Sequence, residues 1–122
     1  MLTSAAGKIY AARLPTRLTA PLIEKEWDEV FGDKPNVEKF RDDSARELRQ
    51  KGYTAIVRSD LTGYVSIAAP VIDWNGDVRF TLSLAGTRAS MKIEPMSDQV
   101  KALLNSASRA TLALGGKAEG GD

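Results

Sequence analysis

The sequence predicts an α+β domain in which a short antiparallel sheet carries packed helices. Three observations lead there. Apolar residues recur at helical spacing over residues 3–52, the period changes to two after Gly52, and helical spacing returns from Ser97 to Leu114. Four helices around one hairpin is the organisation that follows.

The first helix opens with Thr3 or Ser4 as cap and is stopped by Pro15, with Ile9, Ala12, Arg13 and Leu14 forming a modest apolar face. A second begins near Thr19-Ala20-Pro21, with proline in its first turn. It carries Ile23, Trp27, Val30 and Phe31 before Gly32 ends it. The third starts at Asn36 as cap, sets Val37, Phe40, Ser44 and Leu48 on one side, and closes at Gly52. A short strand follows, and then two long ones. Val65, Ile67, Ala69 and Val71 share one face, while Tyr64, Ser66, Ala68 and Pro70 share the other. Val78, Phe80, Leu82 and Leu84 alternate in the same way against Arg79, Thr81, Ser83 and Ala85. Asn75-Gly76 predicts a two-residue type I′ turn between them. Pro70 cannot donate to a ladder, which predicts a bulge or an unpaired side at that position. The last helix runs from a cap near Ser97, with Asp98 in its first turn, to Gly115. Residues 116–122 read as a flexible tail after a domain spanning 1–115.

Composition narrows the function. At 122 residues with 43% apolar content the chain supports one core. Seventeen Lys and Arg against sixteen Asp and Glu leave a net charge of +1 with no basic block, so nothing advertises direct nucleic-acid contact. No cysteine and no histidine are present, which removes disulfides, thiol chemistry, the commonest metal ligand and the usual general base. No run of about 18 apolar residues and no leader pattern appear, so no membrane contact and a cytoplasmic location are expected.

Candidate chemistry is sparse. With His and Cys absent, a nucleophile would need a Ser-Lys pair, and Ser4 with Lys8 reads instead as a capping serine and a solvated lysine. Asp42-Asp43 and Glu24 with Asp28 lie opposite the apolar stripes of their helices, as surface charges do. Trp27 reads as a core anchor. No catalytic residue, metal site or cofactor is expected. Two features point to ligand binding. The strand faces carrying Tyr64, Ser66 and Ala68 and carrying Thr81, Ser83 and Ala85 are small and semi-polar, which suits either a ligand floor or a solvent-facing side. The amides that open the first helix, at Ser4, Ala5 and Ala6, are unobstructed and suit a carboxylate or phosphate.

Residues Thr3 to Pro15 resemble the A-x-G-K-A-x-L-A-x-L-P helix of the IclR family of bacterial transcription regulators, and Arg49 to Tyr53 resemble its R-x-x-G-Y. Ser66 to Asp73 and Leu82 to Gly86 are similar to its C/S-I-A-A-P-V-F-D and L-S-V-S-G. The resemblance runs from about residue 3 to 114 in order. It implies the GAF or profilin-like sensor fold and a small organic-acid effector held between the sheet and the N-terminal end of the first helix. The effector-facing set it implies is Ala5 and Ala6 through their amides, with Ile56, Tyr64, Ser66, Ser83 and Ala85 as walls and hydroxyl donors. Many members carry an acidic residue where Ile56 stands and a serine where Ala85 stands, which turns the expectation toward a larger or aromatic acid. The family also carries a winged helix-turn-helix and further strands ahead of this region. The expectation is therefore an N-terminally truncated sensor that self-associates and reaches DNA only through an absent DNA-binding part. A stand-alone small-molecule binding or scaffold domain is the alternative.

Overall fold

Of the 122 residues, the computed structural model describes 4–31, 36–57 and 63–116. The order is α1 (Ala5–Arg13), α2 (Thr16–Phe31), α3 (Val37–Lys51), β1 (Thr54–Val57), β2 (Tyr64–Ile72), β3 (Val78–Thr87) and α4 (Asp98–Ala113). The strands form one antiparallel sheet in the order β1-β2-β3. This is the expected α+β architecture. Val30, Phe31 and Asp28 lie outside the described side chains, and Thr3, Gly32 and 117–122 outside the described residues.

Central strand β2 is buried from Val65 through Ile72 because both of its faces are covered. On one, Val65, Ile67, Ala69 and Val71 join Val100, Leu103 and Ala107 of α4 in the main core with Tyr53. On the other, Ala68 packs against Ala5 and Ile9 of α1 and Leu48 of α3. The small residues of that second face are thus neither solvent-facing nor a bare ligand floor along most of the strand. A helix needs small residues beneath it to approach a sheet closely, and Ala68 at 0% exposure is where α1 rests.

Three local expectations are corrected. The hairpin turn is not type I′, since among the described residues none other than glycine has positive φ. Gly76 N–H bonds Asp73 C=O at 2.9 Å, Asp73 N–H bonds Asp77 C=O at 3.0 Å, and Gly76 alone is left-handed at φ 82°. That is a three-residue loop with glycine at the bulge position. The Asp73 carboxylate makes this form favourable by accepting from the amides of Asn75 and Asp77. Second, a register shift at Val71/Ile72 pairs Ile72 with Val78 and Val71 with Phe80. Val78 therefore moves to the α1 face, where it packs with the Ala68 cluster, while Leu82 stays on the α4 face. Third, α2 opens at Thr16 directly behind Pro15, three residues earlier than expected, so Pro21 lies in its second turn and leaves Arg17 C=O without its usual donor.

Pro70 meets its expectation: β1 ends at Thr54 opposite Ala68, so no strand faces its missing N–H. Two residues on, on the same edge, Ile72 N–H is taken by Thr111 Oγ1 of α4 at 3.0 Å. Helix α4 closes with Gly115 at φ 78°, Gly115 N–H bonding Leu112 C=O and Gly116 N–H bonding Thr111 C=O. Gly116 lies so close to the Ile72 carbonyl that a Cβ would collide with it.

Lys8 is not solvated. Its ammonium donates to Glu47 Oε1 at 3.0 Å and to Ala55 C=O at 2.8 Å, while Glu47 Oε2 accepts Ala55 N–H at 3.1 Å. Side-chain exposures of 21% and 17% make this a partly buried pair rather than a surface one. Arg41 of α3 donates to Ala11 C=O and Leu14 C=O, satisfying the carbonyl end of α1.

Two stability predictions arise from this packing. Thr19 on α2 is 1% exposed and its hydroxyl has no partner among the described residues. Thr19→Val should raise stability by about 1 kcal/mol in urea melts, because an unsatisfied buried hydroxyl is removed at similar shape. Tyr53, fully buried, donates its hydroxyl to Ile93 C=O at 2.7 Å. Burial pushes its ionisation above the ordinary value of 10.0, with Glu47 and Glu94 adding to the effect. The neutral phenol is favoured more in the folded than in the unfolded chain, so this contribution is full below pH 10.0 and is lost as pH rises through the raised value. Tyr53→Phe should cost about 0.5–1.5 kcal/mol at neutral pH and flatten the alkaline loss of stability. An unchanged alkaline slope in the variant would refute the assignment.

Candidate functional site

The site is built from the rows in which the strands pair. Thr54, Ala68 and Ser83 form one transverse row, Ile56, Ser66 and Ala85 the next, and Tyr64 with Thr87 a third. All lie on the α1 face by alternation. Helix α1 is anchored over the first row, where Thr54 Oγ1 donates to Ala5 C=O at 2.6 Å. From there it runs toward the hairpin turn, where Arg13 Nη2 reaches Gly76 C=O at 3.0 Å. The second and third rows therefore lie beyond the N-terminal end of α1, and its first-turn amides open onto them.

Ser4 sets that helix end. Its hydroxyl accepts Gly7 N–H at 2.9 Å, and the helical ladder begins only with Lys8 N–H to Ser4 C=O. The amides of Ala5 and Ala6 thus take no part in the ladder, and they carry the positive end of the helix dipole. Of the seven expected residues, Ile56, Ser66 and Ala85 are brought side by side, with Ser83 one row away and Ala5 above Ser83's row. Ser66 is buried at 6% exposure and Ala5 at 1%, Ala6, Ile56 and Tyr64 are half-buried, and Ser83 and Ala85 are exposed on the outer strand. These rows form a shelf that is covered at Ser66 and exposed along the outer strand. A groove of about 340 Å³ lined by Ser90, Lys92, Met96 and Ser97 and a cavity of about 50 Å³ lined by Val65, Arg88 and Met91 both lie elsewhere, and none of the seven residues lines either.

Two hydroxyls of this shelf were missed. Thr87 pairs with Tyr64 and would have been found by carrying the alternation of Ser83 and Ala85 one step past Gly86. Thr54 holds Ala5, a contact across 49 positions that no local pattern signals. Among the described residues no group of three or more carboxylates is placed to hold a metal ion, and no helix is long and apolar enough to cross a membrane.

The family model for the C-terminal region of the bacterial transcriptional regulator IclR matches residues 1–111. Among solved structures, HmgR of Pseudomonas aeruginosa is 26% identical with a TM-score of 0.76, over 94% of this chain and 45% of that one. An IclR transcriptional regulator from Alicyclobacillus acidocaldarius is 23% identical with a TM-score of 0.67, over 93% and 45%. The inducer-binding domain of a PobR double mutant from Acinetobacter, in complex with 3-hydroxybenzoic acid, is 20% identical with a TM-score of 0.61, over 89% and 63%. The chain therefore spans less than half the length of the first two and under two thirds of the third. Among curated protein sequences none matches. Matched over nearly its whole length, the chain belongs to the IclR family of bacterial transcriptional regulators, as part of its C-terminal domain.

Proposed function

We propose that this domain senses a small organic acid on behalf of a transcription regulator, with the carboxylate at the amides of Ala5 and Ala6 and the body of the acid on the row Ile56, Ser66 and Ala85. The observation that carries this reading is the placement of that row directly beyond the positive end of α1. Ile56 and Ala85 give the row an apolar character, which favours an aromatic or larger aliphatic acid over a compact polar one. The PobR domain's complex with a hydroxybenzoic acid is support of the same kind. DNA would be read by a separate winged helix-turn-helix, and the effector would act by binding one arrangement of the assembly better than another. A binding module with no regulatory role is distinguished by the absence of any effect on operator affinity when this domain is joined to such a DNA-binding part.

Two measurements check the ligand. Hydroxybenzoic acids should stabilise the protein in thermal melts, and their methyl esters should do so far less, because the ester removes the charge that the helix end attracts. Equal stabilisation by both would remove the amide anchor. By calorimetry, Ser66→Ala and Ser83→Ala should each weaken binding by about 0.5–3 kcal/mol. Leu82→Ala should instead leave affinity alone and cost stability at or below the low end of roughly 2–5 kcal/mol, since Leu82 packs on the opposite core but is only partly buried. Loss of stability without loss of affinity in Ser83→Ala would show that the face is structural.

A further inference from the structure

The carbonyl of Ala5 and the N–H of Ala6 belong to one planar peptide unit and point in opposite directions. Thr54 Oγ1 donates to that carbonyl at 2.6 Å from the row Thr54, Ala68 and Ser83 beneath α1. The Ala6 N–H leaves the same unit toward the N-terminal end of the helix, beyond which the row Ile56, Ser66 and Ala85 lies. Thr54 is 0% exposed, and the carbonyl that it meets already has a place in the helical ladder. The hydroxyl is therefore not needed to satisfy Ala5, and a valine of the same shape would fill the same space. What the hydroxyl adds is polarisation. A bond at the carbonyl oxygen draws electron density from the amide nitrogen and makes its N–H a stronger donor, by about 10–30% per bond in a chain of such bonds. The neighbouring Ala5 N–H belongs to the unit of Ser4 C=O, whose bond from Lys8 N–H is longer, at 3.3 Å.

We propose that Thr54 is a positioning residue which, through the Ala5–Ala6 peptide, strengthens the Ala6 N–H as a donor to an anionic carboxylate. The proposal rests on the organic-acid reading above and adds to it a residue that does not touch the ligand. Its effect is selective for charge. Hydrogen bonds to an ionised acceptor are about twice as strong as neutral ones, so a strengthened N–H gains more against a carboxylate than against an ester carbonyl. Thr54 and Ile56 stand two apart on one face of β1. This four-residue strand thus tunes the anchor with one side chain and supplies the apolar wall with the next on that face. Strand β1 is also held independently of Thr54, by Glu47 and Lys8 at Ala55, so losing the hydroxyl should not release it.

The experiment compares the parent with Thr54→Val, Thr54→Ala and Thr54→Ser by amide nuclear magnetic resonance, first without ligand and then in titrations with 3-hydroxybenzoate and with its methyl ester. Without ligand, Thr54→Val and Thr54→Ala should move the Ala6 amide proton upfield by more than the Ala5 amide proton, because the bond that deshields it is gone. Thr54→Ser keeps the hydroxyl and should leave the Ala6 proton near its parental position. In the titrations, the two variants without a hydroxyl should bind 3-hydroxybenzoate about two- to fivefold more weakly than the parent, the share of one charge-assisted bond that polarisation supplies. Their affinity for the methyl ester should be that of the parent, and Thr54→Ser should restore the acid. An unmoved Ala6 proton, an unchanged affinity for the acid, or equal losses for acid and ester would each overturn the proposal, the last by making Thr54 a support of the fold alone. A parent that does not prefer the acid overturns the organic-acid reading and this role together. A parent that prefers it, with variants that keep the preference, overturns the role of Thr54 and leaves the reading standing.

Discussion

The Lys8–Glu47 pair on Ala55 holds the molecule's layers in place. One carboxylate and one ammonium take both outward backbone groups of Ala55, so α1, α3 and β1 are joined at a single point. Charge-assisted bonds at partial burial are worth more than exposed pairs, and removing one partner would leave the other charged and desolvated. The pair also ends the sheet, because no further strand can reach Ala55. Thr54 next to it fixes Ala5, and Arg41 holds the carbonyl end of α1. The direction in which the α1 amides point is a consequence of these three contacts from neighbouring elements.

Much of this was legible in the sequence, and the limits are physical. Caps at Ser4, Asn36 and Ser97 are local side-chain-to-amide bonds, and all three form as read. The alternation of β2 assigned both faces correctly, because a period of two leaves no freedom once one face is buried. The bulge beside Val71 broke the same argument on β3. An extra residue in one strand inverts every side chain beyond it, and Val78 changed sides. Asn75-Gly76 suggested the wrong turn because Asp73 two residues earlier favours a loop in which only Gly76 needs positive φ. The lysine clamp was invisible, since its partners stand 39 and 47 positions away.

The face that carries the proposed site was legible, and the reason its residues are small was misread. Small residues on β2 suggested room for a ligand. Over Ala68 they instead make room for α1, which sits directly on them. The same choice continues past the first turn of the helix to Ser66, itself buried at 6% exposure, and to Ala85, which is exposed. A helix that must lie close to a sheet therefore generates a shelf at its own N-terminus, made of the same small residues and facing its own unused amides.

That geometry also limits how a ligand could act. Helix α1 is nine residues long, spanning about 13 Å at about 1.5 Å per residue. Its far end is tied to the hairpin turn through Arg13 and to α3 through Arg41. A carboxylate drawing on the first-turn amides would pull along the helix axis, and the strain would reach the turn that sets the register of β3 rather than dissipate in a loop. A ligand held as proposed would in this way be connected to the outer strand through a single short helix.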